Sequence, residues 1–309
     1  MVRRLFATIV VMAVVAFVIF LLLYLTPGDP AAILAGDSAT SDDIRRIREK
    51  LGLDEPFLVR FGGWVWGLLR GDLGVSIFTN LPVTQLIGQR IEPTLSLTLC
   101  TLLVAVFIAV PLGVVAAARA GTWVDRLVMA FSVGGFSVPV FVLAYILILV
   151  FSIELDWLPV QGYRPIREGV WEWMRHLILP SAALGTVYMA LIARITRASM
   201  LDVLAQDYVR TAQAKGLAPG AVLVGHALKN AAVPIVTVIG IGIALLIGGA
   251  IVTETVFAIP GIGRLTVDAI LRRDYPIIQG VTLIFSGAYV LINLAVDLSY
   301  MLFDPRIRY

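Results

Sequence analysis

Six apolar runs, each long enough to cross a lipid bilayer, alternate with polar stretches along the chain: 5–25, 93–118, 127–151, 176–199, 231–256 and 279–303. A helix rising ~1.5 Å per residue needs about 20 residues to span a hydrocarbon core of about 30 Å. In lipid the backbone must satisfy its own hydrogen bonds, so these runs predict an all-α membrane protein with six transmembrane helices. Pro111, Pro139 and Pro180 fall inside or near the starts of three runs. Such prolines are tolerated where neighbouring helices satisfy the freed backbone groups. The first run follows Arg3 and Arg4 but outlasts a signal-peptide core and ends in Tyr24-Leu25-Thr26-Pro27. It reads as a retained span.

The polar intervals divide into two kinds. Residues 26–92 form a long segment on one side, in which an amphipathic helix is predicted over 41–51. Ser41 caps it, Asp42 and Asp43 suit its dipole, Ile44, Ile47 and Leu51 share a face, and Lys50 and Gly52 end it. Trp64, Trp66, Leu68 and Leu69 then suit a membrane-interface anchor. Residues 154–175 make a short loop with Trp157, Trp171 and Trp173, and 254–275 a loop whose Pro260-Gly261-Ile262-Gly263 is a turn-forming cluster.

On the other side, residues 207–234 read as two short helices with a hinge. Asp202 and Asp207 stand at the N-terminal end of the first, Arg210 and Lys215 near its C-terminal end. That order suits the helix dipole, and Gly216 falls where a left-handed residue stops a helix. Pro219 then opens a second helix running to about 230, and Pro234 opens the next span. Connections in helical bundles usually take ~2–8 residues, so this passage is more than a connector.

Composition agrees with a membrane protein: 59% of residues are apolar and 15% charged. The chain has a single cysteine, Cys100, which excludes an intrachain disulfide, and the two histidines, His176 and His226, have no metal-ligand spacing. The net charge of +3 comes without any basic run, so nucleic acid is not an expected partner. With the 207–234 side taken as cytoplasmic, the inner segments hold eleven Lys and Arg against four acids. That bias orients the helices with both termini cytoplasmic and 26–92 on the outer side.

Within the fifth run, Gly240, Ala244 and Gly248 recur every four residues, with Gly242 and Gly249 nearby. Small residues at this spacing let helices approach closely, within the chain or along a translocation path. Asp297 is the one acid well inside a span, one turn past Asn293. A charge there must face protein or water, as a gate or an ion relay or, the favoured reading, in a structural pair with Arg194 or Arg197 near the cytoplasmic end. No Gly-x-x-x-x-Gly-Lys-Ser/Thr loop occurs among the three lysines, Lys50, Lys215 and Lys229, so nucleotide binding by a P-loop is excluded. His-Glu-x-x-His and Gly-x-Ser-x-Gly are also absent, which argues against an intramembrane hydrolase. A secondary transporter would need intramembrane ionisable groups, and Asp297 alone supports it thinly.

The stretches DYVRTAQAKGL, HALKNAAVP and VTETVFAIPGIGRL, with RRDYPIIQG, NLAVDLSYMLFDPRIRY, TPGDP and RGDLG, resemble the permease subunits of peptide-type ATP-binding cassette importers over nearly the whole chain. The resemblance implies a single permease domain over 1–309, of the type I importer fold, in a bacterial inner membrane. It implies that the helices at 200–230 couple to separate ATPases, through Asp207, Tyr208, Arg210, Thr211, Ala212, Lys215 and Gly216. Where the general importer pattern has Glu-Ala-Ala before the glycine, this chain has Arg210-Thr211-Ala212. Its implied partners are a second homologous permease, two ATPase subunits, an extracytoplasmic substrate-binding protein and the bilayer, with no cofactor. Cargoes implied by the resemblance are dipeptides and oligopeptides, with glutathione and nickel or its chelates as alternatives.

Overall fold

The computed structural model describes residues 2–25, 30–35, 39–50 and 52–303. In chain order its helices are α1 (Val2–Leu25), α2 (Pro30–Ala35), α3 (Ser41–Lys50), α4 (Phe57–Leu69), α5 (Val83–Gly88), α6 (Ile91–Ala118), α7 (Trp123–Ser137) and α8 (Val140–Leu147). There follow α9 (Val170–Leu204), α10 (Asp207–Ala214), α11 (Pro219–Ala221), α12 (Ala232–Val256), α13 (Ile262–Arg272) and α14 (Tyr275–Phe303). Two of them run on as π-helix, α8 through Ile148–Glu154 and α11 through Val222–Leu228. Among the described residues no strand forms; Val75 and Pro82 make one isolated bridge. Residues 26–29 of TPGDP, Leu51 of the predicted amphipathic face, and 304–309 lie outside the described residues.

Five described helices are long and apolar enough to cross a membrane, or six if the bent pair α7–α8 counts as one span. Where the sequence shows one membrane-length run over 127–151, that pair bends by 103°. Val138 is extended (φ −94, ψ 120) because a residue before proline is pushed out of the helical region, and Pro139 then starts α8. Pro111 and Pro180 stay inside α6 and α9. The chain falls into two compact units, 1–92 with 264–290, and 93–263 with 291–309.

In the first unit α1 and α4 are joined by aromatic rings. Phe20 meets Phe57, Phe61 and Trp64 at centroid distances of 5.3–5.5 Å, and Phe17 and Tyr24 extend the contact. The anchor residues therefore divide: Trp64 and Leu68 pack inward, while Trp66 and Leu69 stay exposed. Thr40, not Ser41, caps α3, its hydroxyl accepting from the Asp43 backbone and donating to the Asp43 carboxylate at 2.6 Å. The Thr40 hydroxyl, and the Thr40 backbone N–H donating to the same carboxylate at 3.1 Å, hold the Asp43 carboxyl below its usual range. The contribution is present at neutral pH and fades as the pH falls through the lowered value.

The same unit brings RGDLG and RRDYP together. Buried Asp274 accepts from Ser76 Oγ at 2.6 Å and from the Ile77 backbone at 3.3 Å. Asp72 accepts from the Gly74 backbone at 2.8 Å, and Gly74 and Gly280 allow contact with Pro276 and Val83.

The second unit is built around α9, whose buried residues form one core with α6, α7, α8 and α12. The buried face of α6 carries Leu97, Thr101, Ala105, Ala109, Gly113 and Ala117, a repeat of four residues that keeps small side chains in one line. A methyl placed on Gly113 would lie 2.6 Å from Thr196 Cβ and 2.7 Å from the Ala193 carbonyl oxygen of α9. The loop expected at 154–175 is shorter than read, because α9 already begins at Val170. Trp173 donates to Ser96 Oγ at 3.2 Å, while Trp157 and Trp171 are exposed.

Candidate coupling segment and helix-packing face

Helix α9 has 35 residues and so measures about 52 Å, well beyond the thickness of a hydrocarbon core. Its surplus carries the chain past the last apolar turn to the helix pair α10–α11. Asp202 lies in the last turn of α9, not at the start of the first short helix; Asp207 alone opens α10. At the far end of α10, Gly216 has φ +78. The Gly216 N–H donates to Gln213 O at 2.9 Å and the Leu217 N–H to Ala212 O at 3.4 Å. This pair of bonds is a Schellman motif, the stop expected from the glycine. Ala218 is extended and Pro219 takes the first position of α11, as read from the sequence.

The two short helices share a small core of Val209, Ala212 and Val222, closed by Val203 and Leu204 from the end of α9. Ala212 is therefore an internal packing residue, 8% exposed. Asp207, Tyr208, Arg210, Thr211, Lys215 and Gly216 are all exposed. Arg210 reaches Asp207 at 3.4 Å, an open pair on the surface that adds little stability. The Thr211 hydroxyl donates to the Asp207 carbonyl at 3.0 Å. What the segment presents is thus a two-helix knob whose surface carries Asp207, Arg210, Thr211 and Lys215 beside the exposed apolar Tyr208, Leu217 and Val224.

The glycine stripe of α12 splits in the structure. A methyl on Gly240 would land on Val296 of α14, and one on Gly249 would lie 2.9 Å from Leu184 Cδ1 of α9. Gly242 is buried against Tyr188. Gly248, however, has nothing within 4 Å, and Ala244 is only half-buried. Gly248 shares its exposed side with Ile241, Leu245 and Val252. Close packing within the chain is carried by Gly240, Gly242 and Gly249, not by the Gly248 end of the predicted stripe. In detergent Gly240→Leu is expected to lower the melting temperature of the permease and Gly248→Leu to leave it unchanged; thermal unfolding followed by circular dichroism checks both.

Asp297 is half-buried on α14. Its expected partners are engaged elsewhere. Arg197 forms a two-pronged ion pair with buried Asp125 of α7, Nη2 to Oδ2 at 2.7 Å, and Arg194 lies over the Phe136 ring at 5.4 Å. Asp125 also accepts from the Gly121 backbone at 2.9 Å, which fixes the turn into α7. The sequence did contain a signal for this pair, an acid and a base at the same end of two spans, but nothing in it said which bases and acids meet.

Residues 109–309 match the family described as binding-protein-dependent transport system inner membrane component, and residues 1–98 match the N-terminal model of binding-protein-dependent transport membrane components. The chain belongs to this permease family. Over 307 residues the permease is 59% identical to a probable peptide ABC transporter permease of Sinorhizobium fredii, covering 99% of this chain and 98% of the relative. It is 44% identical over 307 residues to a putative peptide transport system permease of Brucella abortus, with the same coverage. It is 43% identical over 308 residues to the glutathione transport permease of Escherichia coli, covering all of this chain and 98% of the relative. Among solved structures, the inward-facing MetNI methionine ABC transporter matches with a TM-score of 0.58 at 18% identity, over 72% of this chain and 97% of that one. The fold is therefore that of a type I importer permease, and the chain is a permease subunit of an ABC importer.

Proposed function

We propose that the permease forms the translocation path of an ATP-driven importer for short peptides in a bacterial inner membrane, with both termini in the cytoplasm. The observation that carries this reading is the end-to-end 59% identity to a peptide ABC transporter permease. The chain itself hydrolyses nothing. It holds outward-open and inward-open arrangements whose balance is set by two ATPase subunits docked on α10–α11, with a second permease completing the path. Exposed Asp207, Tyr208, Arg210, Thr211 and Lys215 meet the ATPases; Ala212 and Gly216 give the knob its shape. An extracytoplasmic binding protein delivers cargo to the side that carries residues 26–92. The equally long match to a glutathione permease supports glutathione as the second cargo reading.

Uptake of radiolabelled dialanine into proteoliposomes holding the four-subunit complex and its binding protein tests the reading. ATP-dependent uptake that excess unlabelled glutathione fails to compete is expected. Uptake without ATP would refute the importer, and transport of glutathione alone would reassign the cargo. Topology has its own test in a Cys100→Ser background. An impermeant thiol reagent should label Glu55→Cys in intact cells, but Gly220→Cys only after permeabilisation. The reverse pattern would invert the proposed orientation.

A further inference from the structure

Helices α6 and α7 are joined by the short turn 119–122. The Thr122 hydroxyl donates to the Arg119 carbonyl at 2.6 Å, and the Gly121 N–H, at φ +79, donates to Asp125 Oδ2 at 2.9 Å. So tight a turn keeps Arg119, just past α6, and Arg126, in the first turn of α7, at the same end of the two helices. Both are exposed. The arginines of α9 are already engaged: Arg197 holds both carboxylate oxygens of Asp125, and Arg194 lies over the Phe136 ring. Asp125, the acid next to Arg126 in sequence, is therefore spent on another base. Among the described residues neither Arg119 nor Arg126 makes a side-chain hydrogen bond, ion pair or ring contact. Two positive charges are left there without a counter-charge.

The same two helices leave an open groove of about 310 Å³, lined by Leu112 of α6 and by Trp123, Val124, Leu127, Val128 and Phe131 of α7. Small-molecule sites start at about 300 Å³, so the groove has room for a ligand. Leu112 and Val128 pack on the core of the unit, while Trp123, Leu127 and Phe131, one turn apart on a single face, are exposed. From Trp123, the first residue of α7, to Phe131 the groove runs ~12 Å along the helix. Tryptophan favours the membrane interface, so the groove descends from the headgroup level into hydrocarbon. Its occupant must be apolar along that length and negative at the end where Arg119 and Arg126 stand. A soluble anion would leave the groove empty, and a soluble protein would have to enter the bilayer to fill it. We propose that this groove binds one anionic phospholipid, an acyl chain lying along Leu127 and Phe131 and the headgroup phosphate held by Arg119 and Arg126. The site requires that α6 and α7 stand in a membrane, and is independent of the cargo.

The test uses the full-length permease purified in detergent and offered phosphatidylglycerol or phosphatidylcholine at equal concentration. Native mass spectrometry counts the lipid retained, and the melting temperature in phosphatidylcholine checks that each variant is folded. The wild type should retain one phosphatidylglycerol in preference to phosphatidylcholine by about ten-fold, and Arg119→Gln with Arg126→Gln should bring that preference below about two-fold. Arg167→Gln with Lys229→Gln removes the same charge elsewhere and should leave the preference unchanged. Leu127→Ala with Phe131→Ala lowers the apolar wall at exposed positions and should weaken retention of both lipids about three-fold. Equal retention of the two lipids by the wild type overturns the proposal, as does an equal loss of preference in the two double variants that remove charge. Full retention in the Leu127 and Phe131 variant also overturns it, since the groove would then hold no chain. If the Arg119 and Arg126 variant keeps its lipid preference but loses co-purifying subunits, the arginines serve a protein partner and the proposal is wrong.

Discussion

Replacing Gly113 by leucine is expected to abolish accumulation of folded permease. The reason lies in what surrounds the missing side chain. A methyl at this position already falls 2.6 Å from Thr196 Cβ and 2.7 Å from the Ala193 carbonyl oxygen. The second of these is backbone of α9, the helix on which the whole second unit is built, so it does not swing aside as a flexible side chain would. Forcing extra methylenes into a packed core commonly costs about 1–3 kcal/mol, and a clash with backbone stands at the upper end or beyond. In the membrane no hydrophobic driving force compensates, because lipid is as apolar as the displaced contact. Fluorescence-detected size exclusion of tagged protein in detergent reads the outcome. Gly62→Leu, where nothing lies within 4 Å, serves as the matched control and should elute as wild type. A monodisperse Gly113→Leu peak with an unchanged melting temperature would mean that α6 and α9 are not in close contact.

Gly216→Val is expected to do the opposite: to leave a folded, assembled permease that transports poorly. Nothing lies within 4 Å of a Cβ built there, so the substitution meets no clash; its whole cost comes from holding a β-branched residue at φ +78. That cost is about 1–2 kcal/mol. The least expensive relief is for α10 to run on, which breaks the Gly216–Gln213 and Leu217–Ala212 bonds and pulls Val222 out of its core with Val209 and Ala212. A Cβ at Gly216 has no neighbour from a membrane-spanning helix within 4 Å; the second helix meets the spans farther on, where Ala227 packs with Ala117 and Met200. Insertion and pairing with the second permease should therefore be normal, while ATPase stimulation and uptake fall together. Gly216→Asn should retain more of both, since asparagine tolerates the left-handed region. Equal and normal transport by the valine and asparagine variants would show that the knob need not be rigid.

The hydrophobic pattern was sufficient for the order and approximate ends of the apolar helices, five, or six with the bent pair α7–α8, because in lipid the length of an apolar run and the need to close backbone hydrogen bonds leave a helix as the only answer. The joint at Gly216 and Pro219 was legible for a similar reason. Its cause is local, a left-handed glycine and a first-turn proline, and needs no contact from elsewhere. Sequence motifs also carried the family, since RGDLG and RRDYP can be recognised without knowing that Ser76 meets Asp274.

What only the tertiary structure decided were the pairings. A four-residue repeat of small side chains occurs in both α6 and α12, and sequence spacing singled out the α12 stripe; contact geometry shows the tightest approach to backbone at Gly113 and leaves Gly248 open. Pro111, Pro139 and Pro180 look alike in a run of apolar residues, yet only Pro139 follows an extended residue and opens a 103° bend. Arg197 selects Asp125 rather than Asp297, and Glu254 finds Thr94 across 160 positions. Period and composition say which side of a helix is small or polar. They do not say which other helix that side will meet, because that choice is made by the packing of all the spans at once.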